Sequence, residues 1–233
     1  PGHHQIVLLE DDGTEIARYG DGRAGFQDGA ANEAGFNAPQ GLIAAEDAIY
    51  VADTGNHAIR RIGLATGAVT TLAGTGRRGL PHKVRSDGAE TALASPWDLE
   101  LNPKTGEIYI ANAGTHQLLS LRLEDESVAV LAGTGAEAIT DGEIKDATLA
   151  QPSGLALHPS GGLLFFADSE TSSVRALSLG DAPSVKTLVG AGLFDFGHVN
   201  ARIDKARFQH PLGVAWWPGV GEVGRLLVAD SYN

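Results

Sequence analysis

The chain has 233 residues, 17 basic against 29 acidic side chains, a formal net charge of −12 and no cysteine. That composition excludes a disulfide framework, a thiolate metal site and a cysteine redox motif, and it argues against a nucleic-acid backbone as partner, which wants clustered Lys and Arg. No apolar run approaches the roughly 18 residues of a membrane-spanning helix, so no membrane partner is expected, and the lack of cysteine fits a reducing compartment such as the cytoplasm.

In chain order, Gly2-His3-His4-Gln5-Ile6-Val7-Leu8-Leu9 aligns with Gly55-Asn56-His57-Ala58-Ile59-Arg60-Arg61-Ile62. The segment 3–20 therefore reads as the second half of a four-stranded unit. Phe26-Gln27-Asp28-Gly29 and Ala34-Gly35-Phe36-Asn37-Ala38-Pro39 then lead into the first full unit, about 36–76. Its strand-forming runs fall near 41–45, 48–52, 58–63 and 68–73, rich in Val, Ile, Leu, Tyr and Thr and separated by Gly, Asp, Asn and Pro. The same order recurs over about 93–135 and 149–192, and its first half recurs over 208–233. Pro39, Pro96, Pro152 and Pro211 mark the unit starts, 56–59 residues apart.

Four antiparallel strands per repeat, without a helical stripe between repeats, is the pattern of β-propeller blades. The reading is an all-β, partial propeller of about four blade equivalents, one domain over 1–233. Both ends fall inside a blade and there is no initiating Met, so a fragment of a longer protein is expected. A closed four-bladed ring with a mixed blade from 208–233 and 3–20 is the alternative.

Several side chains share repeat positions. His4, His57 and His116 occupy one, with Ser172 in the next copy. Asp53, Asn112, Asp168 and Asp230 occupy another, at the turn after the second strand. Asp and Asn there suit a side chain that bonds the backbone N–H two residues on, and an Asn in the set weakens a charge-based Ca²⁺ or Zn²⁺ role. These are expected to be structural turn residues, with no catalytic residue, metal ligand or cofactor.

The run Gly74-Thr75-Gly76-Arg77-Arg78-Gly79 fits G-x-G-x-x-G, but no helix signal follows and the next copy loses its last glycine, so it reads as a turn. Arg60, Arg61, Arg77, Arg78 and Arg85 cluster locally. The Asp-Gly connectors are the most promising surface, because connectors and turns of one kind share one face of every blade, and loops on a rigid scaffold carry binding. Asp28, Asp87 and Asp141 with Gln40, Trp97 and Ser153 are expected to line or rim the channel mouth as ligand-binding residues. A second reading stands beside it: the connectors plug between blades through Phe36, Leu93, Leu149 and Phe208.

The landmarks Pro-x-Gly-Leu and Tyr50-Val51-Ala52-Asp53-Thr54-Gly55-Asn56-His57-Ala58-Ile59-Arg60-Arg61-Ile62 resemble the NHL repeat, with Asn56-His57 in its Asn-His positions and Ala58 where Leu stands. The Leu-Ala-Gly-Thr-Gly run and the Asp-Gly connector look like the propeller of thioredoxin-like NHL-repeat proteins. The resemblance implies six blades and a thioredoxin-like domain elsewhere in the parent. It implies a non-enzymatic scaffold that binds a protein or small ligand on its connector face, with a metal-dependent lactonase or lyase on a six-bladed propeller as the alternative.

Overall fold

The computed structural model describes residues 2–82, 86–219 and 224–232. Arg85 and Asn233 lie outside the described residues. Strands β1 (Ile6–Leu9) and β2 (Glu15–Tyr19) form a two-stranded sheet. Strands β3 (Leu42–Ala44), β4 (Ala48–Asp53), β5 (Ala58–Gly63) and β6 (Val69–Ala73) form an antiparallel sheet in that order. The next unit contains β7 (Ser86–Asp87), β8 (Pro96–Asn102), β9 (Glu107–Asn112), β10 (Gln117–Arg122) and β11 (Ser127–Ala132). The third repeats it with β12 (Gly142–Glu143), β13 (Pro152–Leu157), β14 (Leu163–Asp168), β15 (Ser173–Ser178) and β16 (Ser184–Val189). Finally β17 (Pro211–Trp217) pairs with β18 (Arg225–Asp230). The four expected strands of the first unit match β3 to β6 within two residues at each end.

Two short strands were not legible in the sequence. β7 pairs antiparallel with β11, and β12 with β16, so each connector adds a fifth, outermost strand to the blade it leads into. Two residues are too short to show an alternating pattern.

The first strands are innermost: β8 packs against both β3 and β13, and β13 against β17. The glycine of Pro-x-Gly-Leu is what lets them approach. Gly41 donates its N–H to Trp97 O at 3.0 Å, and a Cβ on Gly41 would fall 2.6 Å from Asp98 Cα. On Gly154 it would fall 2.7 Å from Leu212 O.

The apolar core lies between neighbouring blades. One cluster joins Tyr50, Ala52 and Ile59 to Leu99, Ile108 and Ile110; a second joins Tyr109 and Leu118 to Leu155, Leu164 and Phe166; a third joins Ile6 and Tyr19 to Val51 and Ile62. The connector residues Leu93, Leu149 and Phe36 are fully buried in these same clusters, and Phe208 is partly buried. Each connector thus plugs a blade gap, as expected for a repeat that cannot bury its faces alone.

Each full blade also carries a β-bulge at the same place between its third and fourth strands. Pairing shifts between Ile59 and Arg60, Leu118 and Leu119, and Val174 and Arg175, which leaves Leu72, Leu131 and Leu188 as the extra residues on the outer strand. A bulge re-aims the side chain beside it, here residues 60, 119 and 175.

Candidate functional site

The turn between the second and third strands is a single 3₁₀ turn in each full blade: Thr54–Asn56, Ala113–Thr115 and Ser169–Thr171. It closes on a left-handed residue, His57 (φ 54°), His116 (φ 56°) or Ser172 (φ 48°). The Asp or Asn before it bonds no backbone N–H of the turn, contrary to expectation, because the turn's own backbone closes it; its contacts to the turn run between side chains, Asp53 Oδ2 accepting Asn56 Nδ2 at 2.8 Å and Asn112 Nδ2 donating to Thr115 Oγ1 at 2.6 Å. The side chain instead reaches back 16 to 21 residues. Asp53 Oδ1 accepts Asn37 N–H at 2.7 Å, Asn112 Oδ1 accepts Ala94 N–H at 3.0 Å, Asp168 Oδ1 accepts Ala150 N–H at 2.7 Å and Asp230 Oδ1 accepts Gln209 N–H at 2.7 Å. Every one of these amides lies two residues before the unit's proline.

The left-handed residue takes the next amide along, across the blade boundary. His4 Nδ1 accepts Ala38 N–H at 3.0 Å, His57 Nδ1 accepts Ser95 N–H at 2.9 Å and His116 Nδ1 accepts Gln151 N–H at 3.1 Å. Ser172 Oγ accepts His210 N–H at 3.3 Å in the same place. The four amide residues have positive φ between 48° and 58°, a strained setting for non-glycine residues. The two acceptors hold it from both sides, one from the same blade and one from the blade before. Burial and the nearby Arg78 charge push the His57 imidazole below its usual value, which favours the neutral acceptor form.

The buried arginines complete the frame. Arg60, one of the locally clustered arginines, is fully buried. Its guanidinium donates to Asp53 Oδ2 (2.9 Å), Asp28 Oδ1 (2.8 Å), Gly35 O (2.7 Å) and Gln27 O (2.8 Å), and lies 5.2 Å from the ring centres of Phe26 and Phe36. Arg175 repeats this with Asp168 (2.9 Å), Asp141 (3.0 Å), Thr148 O (2.7 Å) and Thr140 O (2.9 Å). Burial pushes the Asp53 and Asp168 carboxyls up, and the backbone N–H groups and arginines pull back toward the ionised form. In the middle blade both partners change together: Leu119 replaces the arginine and Asn112 the aspartate. A buried carboxylate without its cation is costly, and the paired change avoids it. There Gln117 pins the connector instead, donating to His82 O and Gly133 O at 2.9 Å each.

This arrangement splits the six expected ligand-binding residues. Asp28 and Asp141 lie along the outer strands, not at the channel mouth. Asp28 also accepts Thr71 N–H (3.0 Å) and Thr71 Oγ1 (2.8 Å). Asp141 accepts Thr187 N–H and Oγ1 (2.8 and 2.7 Å). Against burial, those donors and Arg175 hold the Asp141 carboxyl below its usual value. Asp87 sits on the outermost strand β7, facing Ser127 in register, and its Oδ1 accepts Ala89 N–H at 2.8 Å. The physical reason is the path of the connector, which passes along the outer edge of the next blade before turning in to its first strand.

Trp97 and Ser153 do come together. They line a cavity of about 170 Å³ at the start of the inner strands, with Ser169, Glu170, His210 and Tyr232 among its walls. Ser153 Oγ and Ser169 Oγ are 2.6 Å apart, and Ser169 Oγ donates to Pro211 O at 2.9 Å. Gln40 is not in that lining. A neighbouring cavity of about 300 Å³ shares Trp97, Ala113 and Gln151 and extends to Arg78 and Glu137. Deeper on β8, Asp98 Oδ2 accepts Leu155 N–H (2.9 Å) and Glu100 Oε1 accepts Leu157 N–H (3.2 Å). Burial pushes both carboxyls up, and the Asp98 charge pushes Glu100 further. Among the described residues no three His, Asp or Glu side chains converge as a metal site requires.

Glu170, His210 and Tyr232 were missed in the sequence, although the repeat marks all three, Tyr232 standing at the same repeat position as Glu170. Glu170 stands where the first two full blades have Gly55 and Gly114, and His210 where the full blades have Ala38, Ser95 and Gln151. The glycines are tightly enclosed: a Cβ on Gly55 would meet Asn37 O at 2.7 Å, and on Gly114 Ala94 O at 2.8 Å.

No family model matches the chain. NHL repeat-containing protein 2 of Gallus gallus is 39% identical over 258 residues, covering all of this chain and 35% of that protein. The chain thus spans about a third of the length of the curated relatives it matches. Among solved structures, a streptogramin B lyase superposes with a TM-score of 0.55 at 11% identity, over 85% of this chain and 50% of that one. A chain of a nidogen/laminin complex superposes with a TM-score of 0.52 at 16% identity, over 93% and 79%. These two likenesses concern the fold.

Proposed function

Because the chain is a run of NHL-type β-propeller blades, we propose that it serves as a rigid, non-enzymatic scaffold that binds a protein or small ligand at the mouth formed by its inner-strand starts. One observation carries this reading. The repeat's own chemistry is spent internally: its carboxylates, imidazoles and buried arginines are bonded to connector backbone, while the cavity beside Trp97 is walled by side chains that depart from the repeat. Loops carried on a rigid frame are where binding is expected. The inner-strand starts Gln40, Trp97, Ser153 and Leu212 make a poor cation-ligand set, so the scaffold reading is favoured over a metal-dependent lyase. A thioredoxin-like domain elsewhere in the parent, implied by the sequence resemblance, would supply the redox chemistry that this cysteine-free chain lacks.

The test is a ¹⁵N-correlation NMR screen of the ¹⁵N-labelled chain against a fragment set and a set of short peptides. The scaffold reading expects hits whose shifts centre on Trp97, Ser153 and Ser169 and disappear in Trp97→Ala. Hits confined to the outer edge near Asp28 and Asp141, or no hits at all, would overturn it.

A further inference from the structure

Within the repeat, position 170 is the informative break. The first two blades hold that place with glycines in close contact with the pre-proline connector, whereas the third places a carboxylate there. Glu170 lies at the wall of the 170 Å³ cavity, which two aromatic side chains, Trp97 and Tyr232, also line. Its Oε1 accepts Gln151 Nε2 at 3.1 Å, and its Oε2 faces His210 Nε2 at 3.5 Å. The His210 ring is 5.2 Å from Tyr232, and its Nδ1 is buried without a hydrogen-bond partner among the described residues. The cavity floor adds the Ser153 and Ser169 hydroxyls. A half-buried carboxylate in a cavity that two aromatic side chains also line, on a chain of net charge −12, is complementary to an organic cation.

The volume narrows the occupant further. Drug-sized ligands fill about 300–1,000 Å³, and this cavity is smaller. It is of side-chain size, and it opens beside the 300 Å³ depression that shares Trp97 and Gln151, room for the flanking chain. In that depression Arg78 and Glu137 offset one another, which leaves Glu170 as the anionic anchor.

Resting on the scaffold reading above, we propose that this cavity is a socket for a cationic side chain, lysine or arginine, presented by a peptide segment of a partner protein. The cation sits against Trp97 and Tyr232 and bonds the Glu170 carboxylate. The aliphatic stem packs on Leu212, and the peptide backbone crosses Trp97 into the neighbouring depression.

The experiment is an NMR titration of the whole chain with Ac-Gly-Arg-Gly-NH₂, with Ac-Gly-citrulline-Gly-NH₂ as the neutral isostere. The socket predicts saturable shifts of the Trp97 indole N–H and the Glu170 and His210 amides. Affinity should fall at least about fivefold for the citrulline peptide and by a similar factor in Glu170→Gln, and should weaken with added salt. Equal affinity for the arginine and citrulline peptides, or no shift at these groups, overturns the proposal. The citrulline arm uses the unaltered chain, so it decides the matter even if the variant is poorly folded. If the arginine peptide fails while other peptides or fragments shift Trp97, the cation socket falls and the scaffold reading stands. If nothing binds at the mouth, both fall.

Discussion

The replacement Arg60→Leu tests the claim that the buried arginines hold the connectors. Asp53 and Arg60 are both fully buried and 2.9 Å apart, and Arg60 also donates to two connector carbonyls. Removing one partner of a buried pair costs about 3–5 kcal/mol, because the remaining charge has lost its compensation. Asp53 keeps the Asn37 and Asn56 donors, which places the expected loss near the middle, about 4 kcal/mol. Asp53→Asn leaves Arg60 with Asp28, whose side chain is 49% exposed, and should cost about 2 kcal/mol. The double variant recreates the Leu119 and Asn112 pair of the middle blade. It should lose much less than the sum, with a coupling energy of about 2 kcal/mol or more. Urea unfolding followed by far-UV circular dichroism and tryptophan fluorescence reads all three variants. A cost below about 1 kcal/mol for Arg60→Leu, or strictly additive losses in the double variant, would refute the argument.

Three further outcomes follow from the same geometry. His57→Ala removes the acceptor for Ser95 N–H and should cost about 1–2 kcal/mol in urea unfolding, with His57→Ser losing less because Ser172 already fills the equivalent role; equal losses would contradict the latch. Gly74 has φ +103°, and a Cβ there would lie 2.4 Å from His57 O, so Gly74→Ala should lower the thermal midpoint by an amount reflecting at least about 2 kcal/mol, and an unchanged midpoint would be the wrong sign. Asp98 and Glu100 have folded values raised above 3.8 and 4.5, so their stabilising contribution is complete below those unfolded values and is lost as pH rises through the raised ones. Asp98→Asn keeps an oxygen for Leu155 N–H, and should flatten the decline in stability from about pH 4 upward and stabilise the chain at pH 7; a steeper decline on thermal melts across pH 3–8 would sink the assignment.

The blades were legible because turn and strand signals recur in phase, and because a proline fixes where each first strand begins. Strand boundaries such as Ala58–Gly63 agree with the pattern to the residue. The inner geometry was less legible. Nothing local in Asp53 says that it bonds an amide 16 residues earlier, since that bond exists only once the connector has crossed the blade edge. Arg60 reads only as one of a local cluster of arginines, and nothing in the sequence marks the bulge at Ile59 and Arg60 beside which it is buried. The connector carboxylates Asp28 and Asp141 were grouped with Trp97 because connector and turn share one end of the blade. The connectors run along the outer strands, by the isolated Gly29–Val69 bridge in the first blade and the two-residue strand β12 in the third, and so place them at the outer edge. Comparing each blade with the others is what exposes the candidate site, since Glu170 and His210 are departures from positions otherwise filled by small or neutral residues.

The central claim is that the repeat's charged and imidazole groups hold blades together while the mouth beside Trp97 does the binding. The most direct measurement is the dissociation constant of the best mouth-binding peptide from the NMR screen, read at the Trp97 indole N–H in two variants: the double variant Asp53→Asn with Arg60→Leu, and Glu170→Gln. The account predicts that the first, although less stable, binds as the unaltered chain does, within about twofold, and that the second binds at least about fivefold more weakly. Binding lost in the folded double variant and retained in Glu170→Gln would contradict it.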